Sequence, residues 1–272
     1  MATSLLTFEH AFYTGDFFSV VHANIADSER VNELQIRALL ALGQTEPALA
    51  RIHAGQSDVY QAFKVLVSKN RGDLDAVAVQ DLSDSAKHLI ALKHATLGEY
   101  AAALDVLSTT RESLDAALLK VHVLLATNQE AAAQETVRAM RQWANDHVAF
   151  NVAEALVSLR RPETAQKAFF IFEENNSMLP APNSQLGEGV SQATLRRFPE
   201  AALPLGEALK GGSEAAIISA LALALVQGDL AQAEDLRSKL QLEKYMQSPA
   251  VLDLKEKEDA FDRVLAKFSA HA

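Results

Sequence analysis

The residues of this sequence that could bind a metal ion are its eight histidines and its acidic side chains. No two histidines have the H-x-x-x-H spacing that would place both rings on one face of a helix. His88 and His94 are six residues apart, so they point in different directions on a helix. The chain has no cysteine, which excludes thiolate ligands, thiol catalysis and disulfides. We therefore expect neither a metal site nor a cofactor.

Phosphate or nucleophilic chemistry would require a glycine-rich loop or an activated serine. The Gly-Gly-Ser segment at residues 211–213 has no predicted strand before it and no Gly-Lys-Ser/Thr after it. We predict a turn between helices here, with Ser213 as the N-cap and Ala216 and Ile217 inside. The sequence also contains no G-x-S-x-G nucleophile motif. We predict no catalytic residue, and hence a protein that is not an enzyme.

A small residue recurs five positions after each predicted turn, which indicates a series of helical hairpins. These hairpins must position any functional surface of the chain. Successive turns are about 30 residues apart, which is the spacing of stacked hairpins. The predicted turn residues are Gly15, Gly43, Gly72, Gly98, Asn128, Arg160, Arg197 and Gly228. The small residues are Val20, Ala48, Val77, Ala103, Ala133, Ala165, Ala202 and Ala233. Such arrays usually hold another protein.

The residues around these turns resemble the tetratricopeptide repeat (TPR). Its G-x-Y/F/L-x-x-A portion is present at Gly98, Tyr100 and Ala103, and again at Gly228, Leu230 and Ala233. The early Trp and the closing Pro of that repeat are mostly missing, and most steps are shorter than its length of about 34 residues. The resemblance implies an all-α fold, a right-handed superhelical solenoid of about seven to nine TPR-like hairpins. We predict one domain over residues 1–272.

Three segments depart from the regular pattern. Residues 57–82 form a weak unit. Residues 178–183 contain two prolines, which exclude one continuous helix and favour a long loop or a bend. Residues 248–268 predict a C-terminal capping helix with a polar outer face. The expected apolar side of that helix consists of Leu252, Phe261, Leu265 and Phe268.

The composition excludes several classes of partner. The net charge is −10, and lysine and arginine occur in no cluster larger than a pair, so we expect no nucleic-acid binding. The most apolar segment, residues 215–226, is shorter than the about 20 residues that span a bilayer, so we expect no membrane insertion. The N-terminal residues lack the pattern of a signal peptide. We expect a cytoplasmic protein.

In the repeat family, the first helix of each unit lines the concave face. With each turn residue set at the family's position 15, two lining positions can be assigned in each unit. These positions hold Glu33, Arg37, His88, Leu92, Leu118, His122, Phe150, Glu154, Gly187 and Ser191. We predict partner binding by Arg37, His88, Leu92, His122, Phe150, Glu154 and Ser191. The alternative for each residue is that it packs against a neighbouring helix.

Both ends of the chain resemble a more specific family, the coatomer epsilon subunits. Residues 8–21, FEHAFYTGDFFSVV, are similar to the opening of that family's first repeat. Residues 254–268, LKEKEDAFDRVLAKF, are similar to its closing segment, with Lys255, Glu256, Phe261 and Asp262 in step. The middle segments AFNVAEALVSL and QKAFFIFEE also correspond. The resemblance extends over nearly the whole chain and is poorest at residues 57–82.

The resemblance implies a non-catalytic subunit of the coatomer (COPI) vesicle coat. Such a subunit binds and stabilises the C-terminal region of the alpha subunit in Golgi-to-ER and intra-Golgi transport. It implies a heterodimer with alpha within the heptameric coat, peripheral on the cytosolic face of Golgi membranes and coated vesicles. Two alternatives remain open: a TPR-type scaffold of another cytosolic complex, and an accessory or catalytic helical-hairpin subunit like those of prenyltransferases.

Overall fold

The computed structural model describes residues 4–26, 28–241 and 248–269. Helices make up 80% of the structure, and the described residues form no strand, so the predicted all-α fold class is confirmed. One short 3-10 turn spans Val79–Asp81. In the described ranges the helices are α1 (Leu5–Thr14), α2 (Phe17–His22), α3 (Glu29–Ala41), α4 (Thr45–Ala54), α5 (Asp58–Val67), α6 (Arg71–Asp75), α7 (Asp84–Thr96), α8 (Tyr100–Ser108), α9 (Leu114–Ala126), α10 (Glu130–Ala144), α11 (Val148–Ser158), α12 (Pro162–Met178), α13 (Pro182–Thr194), α14 (Phe198–Lys210), α15 (Glu214–Gln227), α16 (Leu230–Leu240) and α17 (Pro249–Ser269).

Serine side chains begin several of these helices. In each case the serine Oγ accepts a hydrogen bond from the backbone N–H three residues later, which satisfies a donor that has no partner within the helix. Ser213 does this for Ala216, and both Ala216 and Ile217 are buried, so the predicted turn and N-cap are confirmed. The other serines with this geometry are Ser4, Ser28, Ser83, Ser113 and Ser248.

Tight turns join consecutive helices, and one residue of the turn often has a left-handed backbone. This conformation occurs at Gly15, Gly43, Gly98, Asn128, Arg196, Gly212 and Gly228. Of these, Arg196 was not a predicted turn residue, and Gly212 lies in the turn predicted at residues 211–213. The small residues that follow at the fixed offset are buried at Val20, Ala48, Ala103, Ala133, Ala165 and Ala233. These positions confirm an array of hairpins stacked in chain order, which is a helical solenoid.

One unit is shifted by a residue relative to the prediction. The left-handed turn residue is Arg196, with a φ of 61°, and not Arg197. Five positions later, Ala201 is fully buried while the predicted Ala202 is exposed. The sequence offers two adjacent arginines and two adjacent alanines here, so the pattern alone fits both registers.

The two predicted irregularities have different outcomes. Residues 57–82 form the short helices α5 and α6 and the 3-10 turn, so the weak unit is irregular in the structure as well. At residues 178–183 the helix is interrupted as predicted, because α12 ends at Met178 and α13 begins at Pro182. The connection is short, however, and no long loop forms. The repeat is longer here because α12 itself has 17 residues.

The last helix, α17, is present as predicted, but its expected apolar side is not buried. It contacts the array near its beginning, where Val251 packs with Leu236 and Leu240. Arg237 of α16 also pairs with Glu258 at 2.8 Å. The exposed residues are Leu252, Phe261, Leu265 and Phe268. The prediction that these four residues pack inward is therefore wrong, because only the beginning of α17 contributes a residue to a core cluster.

The solenoid is curled so that its first helix contacts its middle. α1 packs against α11 and also against α13. Phe8 and Phe12 of α1 share a hydrophobic cluster with Ala149 of α11. These contacts bring the first hairpin back against the middle of the array. The hairpin therefore closes one side of the space inside the curl. That space contains a concave surface bounded by helices from both halves of the array.

Candidate functional site

A cavity of about 630 Å³ lies inside the curl. Its walls come from α1, α2, α3, α7, α9, α11, α12, α13 and α15, so it depends on the whole array and on the return of α1. Most of its surface is apolar. The aliphatic and aromatic residues that line it include Phe12, Phe17, Leu92, Leu118, Leu119, Val152, Leu156, Leu186, Val190 and Phe172. Cavities of this size with a few polar groups are typical binding sites.

Four of the seven predicted partner-binding residues line this cavity. They are Arg37 on α3, His88 and Leu92 on α7, and His122 on α9. They come from helices far apart in sequence, and the predicted positions within each repeat bring them to one surface. Their binding of a partner stays a prediction.

Phe150, Glu154 and Ser191 do not line the cavity. Phe150 is buried in a core cluster with Met140. Glu154 faces a different groove, where it pairs with Arg141 and with Lys167. Ser191 is fully buried, and its hydroxyl donates a 2.6 Å hydrogen bond to the backbone oxygen of Gly187. None of these three residues therefore reaches the cavity surface, and their binding of a partner stays a prediction.

A shift in the register of the repeat explains why these three residues do not line the cavity. Counting back from the true turn at Arg196 moves the α13 lining positions to Leu186 and Val190, and both line the cavity. On α11 the cavity is lined by Val152 and Leu156, two positions after the predicted pair. Arg160 is not a left-handed turn residue, so its use as a register mark placed α11 wrongly.

An ionic cluster forms the polar end of the cavity, and no motif or repeat position in the sequence marks it. Asp115 of α9 accepts hydrogen bonds from Arg30 at 2.7 Å and from Arg37 at 2.8 Å. The Tyr13 hydroxyl donates to the same carboxylate at 3.1 Å and accepts from Arg30 at 2.9 Å. Glu33 pairs with both arginines. The cluster joins α1, α3 and α9, so it holds the curl closed.

Burial and paired charge set the protonation of this cluster. Burial favours the neutral form of Asp115, but the adjacent Arg37 and Arg30 outweigh it and hold the pKa of the carboxyl far below its usual range. Burial, reinforced by the negative charge of Asp115, raises the pKa of Tyr13 well above its ordinary value. The cluster is therefore ionised at Asp115 and neutral at Tyr13 at physiological pH.

Two histidines beside the cluster remain uncharged at neutral pH. Burial, together with the positive charge of Arg37, lowers the pKa of His88 to about 3. His122 is exposed to solvent within the cavity, yet the surrounding protein removes enough water to lower its pKa as well. Neutral imidazoles can both donate and accept a hydrogen bond.

The return of α1 is also held by polar contacts with α11. Glu9 lies 3.6 Å from the His147 ring nitrogen at the beginning of α11. The Tyr13 ring meets the His147 ring edge-on, with centroids 5.3 Å apart. The nearby His147 ring, together with the positive charge of Arg30, lowers the pKa of Glu9, so this acid stays charged. Together with the Asp115 cluster, these contacts connect the N-terminal hairpin to the middle of the chain.

The arrangement is suited to binding. The cavity combines apolar walls with a polar end, and its charged groups are already paired with one another. Within residues 4–26, 28–241 and 248–269, no three acidic or histidine side chains come together as metal ligands would. No helix in the described ranges has both the length and the apolar character that a membrane span requires.

Comparison with known proteins identifies the family of this chain. A family model described as Coatomer epsilon subunit matches residues 1–269. A curated protein of Schizosaccharomyces pombe, named probable coatomer subunit epsilon, is 26% identical over 207 residues, which cover 73% of this chain and 71% of that protein. The match of the family model over nearly the full length, together with the all-helical repeat fold, shows that the chain belongs to the coatomer epsilon subunit family.

Proposed function

We propose that this chain is a non-catalytic structural subunit of the coatomer (COPI) coat, and that its cavity encloses a segment of the alpha subunit's C-terminal region. In this role it stabilises that region during Golgi-to-ER and intra-Golgi transport. It acts on the cytosolic face of Golgi membranes without inserting into them. The family supports the coat, and the apolar cavity inside the curl supports the mode of binding.

The single observation that carries the binding mode is the enclosure of the cavity. Its surface is mostly apolar, and the return of α1 covers one side. An extended segment with apolar side chains would gain from burial there, at about 25 cal/mol per Å² of apolar surface removed from water. Release would require the segment to slide out or α1 to move away, so the complex should dissociate slowly.

Co-expression with a C-terminal fragment of the alpha subunit tests the proposal. We expect the two proteins to co-elute from a sizing column as a heterodimer. Separate elution, with both proteins shown to be folded by circular dichroism, would contradict binding to alpha. A pull-down from cytosol that recovers mainly proteins outside the coat would favour the alternative of a TPR-type scaffold in another complex.

A further inference from the structure

Two buried polar groups face the cavity without a hydrogen-bond partner in the described protein. Both ring nitrogens of His88 on α7 are unpartnered, and so is the hydroxyl of Ser184 on α13. His88 is 3% exposed and Ser184 is 1% exposed. The Asp115 backbone lies near the His88 ring but not in hydrogen-bonding geometry. Buried polar groups in folded proteins are nearly always paired, so these two are unusual.

The environment of His88 determines whether the group that hydrogen-bonds to it can carry a charge. Since His88 is neutral, one ring nitrogen donates and the other accepts. The charged side chains that act on it are Arg30 and Arg37 from α3 and Asp115 from α9. These are bound to one another and to Glu33, so an incoming charge would find no free counter-ion. Burying an unpaired charge is far more costly than burying a hydrogen-bonded neutral group.

Ser184 extends the same requirement to a second helix that lines the cavity. It lies on α13, in the second half of the array, whereas His88 lies on α7 in the first half. A hydroxyl also donates and accepts, and it carries no charge. An occupant of the cavity therefore meets neutral hydrogen-bonding groups from both helices, in a lining that is mostly apolar.

We propose that His88 and Ser184 select the occupant of the cavity by hydrogen-bonding to its neutral polar groups, amides or hydroxyls, in an otherwise apolar segment. This inference rests on the proposed function in taking the occupant to be a segment of the alpha subunit. In the free chain the two groups do not contribute hydrogen bonds to the fold. Their hydrogen bonds form only with the occupant, and a segment that places a carboxylate or an ammonium group there is rejected.

Affinity and stability together test this role. We expect Ser184→Ala and His88→Leu each to weaken binding of the alpha fragment by about threefold to tenfold, the effect of one lost neutral hydrogen bond. Neither should lower the melting temperature of the free chain at neutral pH. His88→Gln, which keeps a donor and an acceptor, should retain most of the affinity. Ser191→Ala is the matched control, because Ser191 is buried on the same helix but bonds to Gly187.

Two results would overturn the inference in this assay. One is unchanged affinity in both variants. The other is a loss of affinity that accompanies an equal loss of stability in the free chain, which would mark a structural role. If the wild-type chain fails to bind the alpha fragment at all, the proposed function fails, and a second measurement still tests the inference.

The second measurement uses small probes on the free full-length chain. We would record NMR spectra of ¹⁵N-labelled histidine while adding N-methylacetamide, sodium acetate or methylammonium chloride separately. The inference expects saturable shifts of the His88 imidazole signals with N-methylacetamide, reduced by Ser184→Ala, and no comparable shifts with the two charged probes. A larger response to acetate or methylammonium, or none to any probe, would overturn it.

Discussion

The hydroxyl of Tyr13 in α1 donates a 3.1 Å hydrogen bond to Asp115 in α9, across 102 residues of sequence. The same carboxylate binds Arg30 and Arg37, so it is the point at which α1, α3 and α9 meet. The contact lies at the polar end of the cavity. Closure of the curl and formation of the proposed binding surface therefore depend on the same buried ions.

Replacement of Asp115 by alanine should destabilise the chain strongly. It leaves Arg30 and Arg37 partly buried with Glu33 as their remaining shared counter-ion, and removing one partner of a buried ion pair costs about 3–5 kcal/mol. Urea unfolding followed by circular dichroism measures the change. Hydrogen exchange should also become faster in α1, because its link to α9 through Tyr13 is lost.

The matched control is Asp105→Ala, since Asp105 is exposed on α8. We expect its free energy of unfolding to change by less than about 0.5 kcal/mol. Equal stability of the two variants would mean that the Asp115 cluster does not hold the curl closed.

The stability of the chain should fall below neutral pH, in part because of His88. Its folded pKa of about 3 lies below the unfolded value of 6.5, so the unfolded state takes up a proton first as the pH falls. The stabilisation is complete above pH 6.5 and declines from there toward pH 3. At pH 5 the loss from this group is about 2 kcal/mol.

Urea titrations of wild type and His88→Leu at pH 8 and pH 5 isolate this contribution. The variant should lose less stability between the two pH values, while His10 and His122 titrate alike in both proteins. His53→Leu, at an exposed position on α4, should behave as wild type. A pH dependence that is the same with and without His88 would contradict the assignment.

The features that could be predicted from the sequence are those that recur in each hairpin, namely the turns and the buried small residues. Gly98 and Ala103 mark a turn and a buried small residue because the same pair of constraints recurs in each hairpin. Asp115 has no such signature, since its partners Arg30 and Arg37 lie far away in sequence and only the curl brings them close. Phe150 was misplaced because α11 is rotated relative to the repeat pattern.

The corrected register predicts opposite effects for two adjacent residues. Ala201→Leu should overpack the buried face of α14 and cost about 1–3 kcal/mol, because Ala201 is fully buried. Ala202→Leu adds the same atoms at an exposed position and should leave the stability nearly unchanged. Thermal melts of the two variants give the comparison. If Ala202→Leu is the more destabilised protein, the turn is at Arg197 after all.

A charge on the apolar wall of the cavity should weaken the alpha-subunit complex without unfolding the chain. Leu156 of α11 lines the cavity and is half-buried, so an arginine at this position can keep its guanidinium group in the water of the cavity. An apolar segment entering the cavity would have to displace that water and bury the charge, so we expect Leu156→Arg to lower the affinity more than about tenfold. Leu203→Arg is the control, because Leu203 is 74% exposed on α14.

Affinity is measured by calorimetry with the alpha-subunit fragment, and circular dichroism checks the fold of each variant. Leu92→Arg repeats the test from α7, so the prediction does not depend on the folding of one variant. Phe150→Ala would not serve this purpose, since removing a buried phenylalanine costs about 3–5 kcal/mol of stability by itself. If folded Leu156→Arg and Leu92→Arg both bind as tightly as Leu203→Arg, the alpha segment binds outside the cavity, because no apolar occupant could tolerate a charge on either wall.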